Sequence, residues 1–364
     1  MREPVKLLVD VAHPAHVHFF RGFIGEMQSR GHEILITARD KEVTLALLDK
    51  YGLPYINRGA IQKSVLKKAF SLFQIDAKLW GIARGFNPDI LIGIHNPYIA
   101  HVAALMRKPS VIFTDTEGVR VASLLTFPFA TTIVTPSCFR EPVDPGKHVT
   151  YRGYKELAYL HPRHFTPDPS SLGGMGLSPG EYVVLRFISW GAIHDTSLRG
   201  IRTGSELEFV RSLERFGKVL ISSERPLHPD LEKYRIRISP EQIHSLLAFA
   251  RLYIGEGGTM AAEAAVLGTP AIHIEATRSG EATGAGSGNF LELRDRYQLL
   301  YFFSTQEEAF AKALAILGEE GSRETWLARR ERLLAEKIDV TSWMTRFIEN
   351  YPGSLRGETG NGGV

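Results

Sequence analysis

The chain has 364 residues, a formal net charge of +3 and a single cysteine, Cys138. The length exceeds one ordinary core and suits two domains of about 150 to 200 residues each, and the mild charge does not indicate a nucleic-acid-binding protein. With 44% hydrophobic residues, 23% charged residues and no partner for an internal disulfide, the composition is typical of a globular protein from a reducing compartment, so we expect a cytoplasmic location.

The first half of the chain alternates short apolar runs with helical spacing. Strands are predicted at 6–11, 33–37, 90–93, 110–113 and 132–135, and helices at 15–30, 43–51 and 63–84. This rhythm predicts a parallel sheet with helices on both faces. The helix at 63–84 is basic and amphipathic; most such faces pack on a sheet, but this one could also make a weak peripheral contact with anionic lipid.

Prolines and glycines between 161 and 180 interrupt this rhythm, and a second series follows. Its strands are predicted at 182–186, 219–222, 252–254 and 271–274, and its helices at 206–216, 242–250, 260–267, 306–317, 323–335 and 341–350. We therefore predict an α/β fold of two doubly wound, Rossmann-like domains facing a cleft, at 1–165 and 181–338, with a linker at 166–180. The Gly-rich tail at 353–364 is predicted to be disordered.

The glycine-rich run at 255–270 carries the strongest functional signal. A strand leads into Gly257 and Gly258, a helix is predicted to start at about Thr259, and Glu263 lies one turn further on. Glycines let a ligand approach the backbone, and the N–H groups and positive dipole of a helix start favour a phosphate. An acidic side chain one turn later can accept hydrogen bonds from ribose hydroxyls. The alternative is a tight turn with a structural role only; the full run favours nucleotide binding.

Three further stretches accompany this run: DVAHPAHVHFF at 10–20, RGYKELAYL at 152–160 and RFISWGAIHD at 186–195. Together they resemble the domain-of-unknown-function 354 family, an uncharacterised prokaryotic family of predicted GT-B glycosyltransferases. That family is related to UDP-N-acetylglucosamine 2-epimerase and to the N-acetylglucosaminyltransferase that forms lipid II. The resemblance implies a GT-B fold, a nucleotide-sugar donor in the C-terminal domain, an acceptor in the N-terminal domain, and a final helix at 339–352 that packs back on the N-terminal domain.

The resemblance to the epimerase is looser at two points. The segment 94–97 (IHNP) stands where the epimerase has an acidic Gly-Asp-Thr segment, and the acid within 114–120 is displaced by one position from the epimerase's Glu-Ala-Gly-Leu-Arg. Epimerisation at C2 through an eliminated intermediate needs well-placed acids and bases. These departures therefore favour glycosyl transfer without excluding epimerisation.

His13, His16 and His18 follow the first predicted strand. On a helix the side chains of His16 and His18 diverge by roughly 200°, so they cannot share one ion and we predict no metal site here. His16 lies in the first turn of a helix, whose positive end favours the neutral imidazole, the form suited to act as base for an acceptor hydroxyl. A core or capping histidine is the alternative.

The loop after the first strand of the second domain holds four candidates for phosphate and sugar binding. Gly191 permits a tight turn facing the phosphate, Ser189 and His194 could bond its oxygens, and Arg186 could offset its charge. The alternative is an ordinary βα loop around a buried Trp190.

Two other segments follow predicted strands. Asp115 and Glu117 come just after a carboxyl end, where active-site acids lie, and either could be the general base; acids at a helix start would be the structural alternative. The Gly-rich segment 278–290 is predicted to be a mobile loop over the donor, with Arg278 and Asn289 contacting the phosphate or the sugar. A plain flexible loop is the alternative.

We therefore predict a glycosyltransferase that moves a sugar from a nucleotide-diphosphate donor, of the UDP type, to an unidentified acceptor, with a cell-envelope molecule as one candidate. We expect neither a metal nor another cofactor, because the chain has no Asp-x-Asp signature and backbone N–H groups and cations can stabilise a leaving diphosphate. Two alternatives stay open: an epimerase-like isomerase of the nucleotide sugar, and a non-catalytic nucleotide-sugar-binding protein. A dehydrogenase is disfavoured, because the first strand leads into His-Pro-Ala-His and not G-x-G-x-x-G.

Overall fold

The computed structural model of the protein describes residues 3–59, 65–188, 200–201, 204 and 206–355, and for 65–73 it describes the backbone only. The predicted tail at 353–364 therefore falls almost entirely outside the described residues. The chain forms two compact units, Met1–Tyr159 with Ile338–Val364, and Leu160–Lys337. None of the described helices combines the length and apolar character needed to cross a bilayer.

The first unit is built on one parallel sheet of seven strands. These are β1 (Lys6–Val11), β2 (Glu33–Ala38), β3 (Tyr55–Asn57), β4 (Ile90–Ile94), β5 (Ser110–Phe113), β6 (Thr132–Pro136) and β7 (His148–Tyr151). Their order is β3-β2-β1-β4-β5-β6-β7. The helices that accompany them are α1 (Pro14–Ser29), α2 (Thr44–Lys50), α3 (Val65–Phe86), α4 (Pro97–Met106), α5 (Arg120–Thr126) and α6 (Leu157–Leu160).

Local sequence explains how the helices of this unit begin. Both α1 and α4 start on a proline, which lacks only the N–H that a helix start leaves unpaired. The preceding residues, His13 and Asn96, each accept a backbone N–H of the first turn through the side chain. The apolar faces of α3 and α4 then pack on the central strands, where Leu79, Ile99 and Ile112 are fully buried.

The second unit is built on a parallel sheet of five strands. These are β8 (Tyr182–Phe187), β9 (Lys218–Ser223), β10 (Leu252–Gly255), β11 (Ala271–Ile274) and β12 (Leu300–Phe303), in the order β12-β11-β10-β8-β9. The helices are α7 (Ser170–Gly173), α8 (Glu206–Glu214), α9 (Ile243–Phe249), α10 (Gly258–Val266), α11 (Gly288–Asp295), α12 (Gln306–Gly318) and α13 (Ser322–Glu336). The segment predicted as a linker lies in this unit, where the Asp168 N–H donates to Ser245 Oγ at 3.1 Å.

The last helix, α14 (Val340–Glu349), belongs to the first unit and packs against α1. The Thr341 hydroxyl donates to the Ala158 carbonyl at 2.6 Å, and the Glu349 carboxylate lies 2.7 Å from the Arg30 guanidinium. The chain therefore leaves the first unit, builds the second, and returns to finish the first.

In both sheets the strand order reverses beside the first strand of the unit. The reversal lies between β1 and β4 in the first sheet and between β8 and β10 in the second. Open parallel sheets bind ligands outside the carboxyl ends of their strands at such a switch point. These two edges are therefore the places to look for functional side chains.

Candidate functional site

The glycine-rich turn of the second unit lies at its switch point. β10 ends at Gly255, and α10 begins at Gly258 after Gly257 as N-cap. Gly257 has a φ of +80°, and a Cβ on Gly255 would lie 2.5 Å from the Arg186 Cβ, so neither position accepts a side chain without distortion. The helix start falls within one residue of the predicted position. Its first N–H groups have no intrahelical acceptor and can bind an anion.

One amide of this turn faces an acid. The Gly257 amide contributes to the electrostatic environment of the Glu275 carboxylate, which follows β11. Burial alone would raise the pKa of Glu275, but contacts from His273, Thr283 and the Gly257 amide lower it below its usual value. A carboxylate thus lies beside the turn. At the next two positions, the N–H groups of Gly258 and Thr259 donate to no acceptor among the described residues.

Glu263 lies one turn into α10, as predicted, but its carboxylate is not open to solvent. The residue is 5% exposed, and its Oε1 lies 3.2 Å from the His244 Nε2 on α9. His244 is equally buried, with its ring edge-on to Phe165. A ribose contact to Glu263 stays a prediction, and it would require the ligand to enter beside His244.

Arg186 near the end of β8 is held by one residue of β9 and one that directly follows it. It donates to the Ser222 hydroxyl at 2.7 Å and pairs with the Glu224 carboxylate. Its charge is therefore already offset by an acid, and a phosphate would have to compete with Glu224. The other three candidates of this loop, Ser189, Gly191 and His194, lie outside the described residues.

The sequence did not single out Glu256, which is fully buried between the glycines of the turn. Its two carboxylate oxygens accept the N–H groups of Ile188 at 2.9 Å and Ile201 at 2.7 Å. One side chain thus holds both ends of the segment that carries the loop candidates. Burial raises the pKa of Glu256 to about 7, although the two amide bonds and Arg225 favour the ionised form. The signal available in the sequence was an acid directly after a buried strand.

The segment predicted as a lid has local structure. The Thr277 N–H donates to the Glu281 carbonyl at 2.8 Å, and Ala276 pairs with Ala282 in an antiparallel bridge. Arg278 lies in the exposed turn between them. Asn289 sits at the start of α11, where its Oδ1 accepts the Phe290 N–H and the Ser287 hydroxyl. The neighbouring Phe290 ring, and not Asn289, packs against Gly258 of the α10 turn.

In the first unit His16 lies at the switch point beside β1. Its Nδ1 accepts the Ala12 N–H at 3.3 Å. Burial is the largest cause that lowers the pKa of His16 well below its usual value, and nearby cations add to it: His13, Lys155, Lys41 and Arg58. A neutral imidazole that accepts at Nδ1 carries its proton on Nε2. His16 therefore offers a donor at Nε2 while the Ala12 bond persists.

The rings of His13 and His16 are neighbours, with centroids 5.9 Å apart, but the other contacts of the three histidines differ. The His13 Nδ1 accepts the Ala15 N–H at 3.2 Å as N-cap of α1, whereas His18 stacks on Tyr159 with ring centroids 5.4 Å apart. His18 is thus a core residue and His13 a capping residue. Among the residues that the structure describes, no group of three or more His, Cys, Asp or Glu side chains is arranged to hold a metal ion.

Asp115 and Glu117 follow β5 on the same edge. Asp115 pairs with Lys155 at 2.7 Å, and Glu117 accepts the Arg140 N–H at 3.3 Å. Helix α5 begins only at Arg120 and has no acid in its first turn, so these carboxylates do not serve as its cap. The role of either as general base stays a prediction.

A buried polar network beneath this edge was not predicted. Asp10 on β1 is fully buried, and Arg58 after β3 binds it through two nitrogens, at 2.7 and 2.9 Å. The Thr37 hydroxyl on β2 donates to the same carboxylate at 2.6 Å, and the Asn96 amide after β4 donates as well. Four strand ends are thus joined through one carboxylate, directly below the switch point.

Comparison with known proteins bears on this architecture. Residues 5–164 match the family described as "Protein of unknown function (DUF354)", so the predicted resemblance is confirmed for that segment. Uncharacterized protein MJ0665 of Methanocaldococcus jannaschii is 23% identical over 277 residues, which cover 72% of this chain and 80% of that protein.

Solved structures resemble the whole chain. A putative UDP-N-acetylglucosamine 2-epimerase from Listeria monocytogenes superposes with a TM-score of 0.66 at 12% identity, covering 96% of this chain and 97% of that one. Spinosyn rhamnosyltransferase SpnG, complexed with thymidine diphosphate, superposes with a TM-score of 0.61 at 15% identity, covering 95% and 100%. At these identities the likeness shows the fold, and the predicted GT-B class with two doubly wound α/β domains is confirmed.

Proposed function

We propose that this GT-B protein is a glycosyltransferase whose second unit holds a nucleotide-diphosphate sugar and whose first unit receives the acceptor. The observation that carries the proposal is the glycine turn at the start of α10, with its amides at the switch point between β8 and β10. Such a helix start favours a phosphate through its N–H groups and its dipole. The descriptions of two similar structures, a rhamnosyltransferase with thymidine diphosphate and a putative UDP-sugar epimerase, agree with this chemistry.

In this proposal the leaving diphosphate is bound by backbone amides. The N–H groups of Gly258 and Thr259 bind its oxygens, because they lie in the first turn of α10, whereas the Gly257 amide faces the Glu275 carboxylate. Amides fixed in a turn need no reorganisation as charge develops on the leaving group. Glu263, one turn further along α10, accepts the ribose hydroxyls beside His244. UDP is our choice of donor nucleotide.

On the acceptor side we assign His16 as a hydrogen-bond donor and not as the base that its position in the sequence suggested. The Ala12 N–H occupies its Nδ1, so the neutral ring presents Nε2–H to a substrate oxygen. Removal of the acceptor's proton then falls to Asp115 or Glu117, at the end of β5. A base role for His16 would first require the Ala12 bond to break.

The test is incubation of the full chain with UDP-sugars, with and without candidate acceptors, followed by product analysis. Transfer that begins only when an acceptor is added supports the proposal. An epimerised sugar or free UDP without acceptor would replace it with the isomerase, and binding without turnover under every condition would leave a nucleotide-sugar-binding protein.

A variant of Thr259 isolates the turn from the fold. Thr259→Asp adds an acid to the first turn of α10, which stabilises a helix by about 0.3 to 1 kcal/mol but repels a phosphate. We expect UDP affinity to fall at least tenfold with no loss of thermal stability, whereas the neutral isostere Thr259→Asn should bind UDP nearly as the parent does. Unchanged UDP affinity in the aspartate variant would remove the observation on which the proposal rests.

A further inference from the structure

The carboxyl ends of β1, β2 and β3 hold two arginines, one buried and one half-buried, and one buried acid, Asp10. Arg58 binds Asp10 through Nε and Nη2, and its side chain is 1% exposed. Its third nitrogen, Nη1, is buried and meets no hydrogen-bond partner among the described residues. A buried guanidinium N–H without an acceptor is costly and is rarely left unmade in a native protein.

A second guanidinium lies beside the first. Arg39 directly follows β2, and its Nε is also buried without a partner in the described part of the chain. Ala38 pairs with Asn57 across β2 and β3 and accepts the Arg58 N–H at 2.8 Å, so Arg39 and Arg58 extend from neighbouring strand ends. Burial and then the charge of Arg58 lower the pKa of Arg39. Among the described residues of the polar network at these strand ends, Asp10 is the only carboxylate. Both of its oxygens already accept hydrogen bonds from Arg58.

The other charged groups around this pair are engaged with each other. Glu42 lies 3.1 Å from the Lys41 ammonium and 3.8 Å from His13 Nε2, while Asp115 is paired with Lys155. The Tyr98 ring covers one face of the Arg58 guanidinium, with 5.3 Å from Cζ to the ring centroid. Lys41 and Arg58 both lower the pKa of His16, whereas the Glu42 and Asp10 carboxylates raise the pKa of Arg39.

We propose that Arg39 and Arg58, here named the arginine pair, bind an anionic group, a phosphate monoester or a carboxylate, of a second substrate. The planar fork of a guanidinium matches both groups, and a partly buried site strengthens the attraction. The proposal of an anion-binding site depends only on the two arginines. Its assignment to the acceptor rests on the proposed function, and it makes the acceptor an acidic molecule whose reacting hydroxyl lies near His16.

The test uses methyl phosphate and propionate as probes, with titration by calorimetry on the full chain carrying Thr259→Asp, which suppresses anion binding at α10. In this background we expect binding of at least one probe, and at least a tenfold loss of its affinity in Arg39→Gln. Arg39→Lys should lose less, because it keeps the charge without the fork. Lys108→Gln is the matched control, because Lys108 precedes β5 and so lies at the amino ends of the strands, away from the arginine pair. This variant should leave the affinity for both probes unchanged.

A second readout locates the bound probe. An anion at the arginine pair offsets the cations that lower the pKa of His16, so this pKa, followed by NMR, should rise on binding in the parent and stay unchanged in Arg39→Gln. Sedimentation with vesicles containing phosphatidic acid then separates the sources. Retention that Arg39→Gln abolishes and Lys108→Gln spares assigns the anion to a lipid, whereas binding of methyl phosphate without retention assigns it to a soluble molecule.

Absence of binding by both probes and by the vesicles, or binding that Arg39→Gln leaves intact, would overturn the site. These outcomes are independent of the nucleotide assays. Anion binding at the arginine pair in a protein that neither binds UDP nor transfers sugar would retain the site and remove the proposed function. Transfer to neutral acceptors alone, unaffected by Arg39→Gln, would retain the function and overturn the assignment of the arginine pair to the acceptor.

Discussion

The two switch points of this protein offer a ligand different chemistry. At the second, glycines leave backbone amides at a helix start, and the buried carboxylate of Glu256 accepts the N–H groups of Ile188 and Ile201. At the first, charged side chains are packed beneath four strand ends around Asp10. Backbone amides do not change charge near neutral pH, and they suit a constant group such as a diphosphate. A side-chain site can be adapted in charge and can move protons, which suits a variable acceptor.

The largest effect is expected from removing the carboxylate that organises the first switch point. Asp10→Ala leaves Arg58 as an uncompensated buried charge, which typically costs about 3 to 5 kcal/mol. Urea unfolding combined with hydrogen exchange should show this loss in the first unit, with the second unit unaffected. Asp89→Ala removes a half-exposed acid that precedes β4, at the amino ends of the strands, and should cost less than about 1 kcal/mol. A similar small loss for Asp10→Ala would mean that the network does not support the strand ends.

The next largest effect concerns the second switch point, where the contribution of Glu256 to stability should depend on pH. The pKa of Glu256 is about 7 in the folded protein, against a usual 4.5, so between these values the unfolded chain releases a proton that the folded chain keeps. The stability contributed by this group is therefore full below pH 4.5 and is lost as the pH rises to about 7, by roughly 3 kcal/mol.

Glu256→Gln removes this titration. The difference in unfolding free energy between the parent and the variant should fall with rising pH across that window and level off above it. A difference that does not vary with pH would show that Glu256 ionises normally despite its burial.

A smaller effect tests whether the second switch point depends on backbone geometry. Gly257 has a φ of +80°, where an added side chain costs roughly 1 to 2 kcal/mol. Gly258 has no such φ, and a Cβ there would lie 3.3 Å from the end of the Phe290 ring, which can adjust. Gly257→Ala should therefore lower both stability and UDP affinity more than Gly258→Ala. The reverse order, measured by urea unfolding and calorimetry, would contradict the turn geometry.

The smallest effect concerns the helix start at the first switch point. His13→Ala removes the N-cap of α1 and should cost about 1 kcal/mol, whereas His13→Asn restores a side-chain acceptor and should stay within about 0.5 kcal/mol of the parent. Thermal unfolding measures both variants. Equal losses in the two would show that His13 acts through its ring or its contact with Glu42, and not as a cap.

The central strands could be predicted from the sequence, whereas only one of the four edge strands, β9, could be. The structure keeps the predicted bounds for β1, β5 and β11, because these strands are buried almost throughout and appear as continuous apolar runs. Strands β3, β7 and β12 were not predicted. Each is a short edge strand of three or four residues that is only partly buried, so its apolar pattern is weak.

The same distinction holds for the candidate site. The α10 turn could be predicted because glycines, helix start and Glu263 are contiguous in the chain. The Asp10 network could not, because its partners are separated by as many as 86 residues and meet only when the sheet forms. The part played by Glu256 depends likewise on two distant amides. The Ala12 bond of His16 is local, but no pattern of residue types distinguishes it from an open ring nitrogen.

The return of α14 to the first unit sets an order of events during synthesis. All strands and helices of the second unit have been translated by Lys337, whereas the first unit still lacks the helix that covers α1 and receives Arg30. The first-made half of the protein is therefore the last to be completed on the ribosome. Until α14 is made, the apolar surface of the first unit stays uncovered, and exposed apolar surface of this kind makes a nascent chain prone to aggregation and dependent on chaperones.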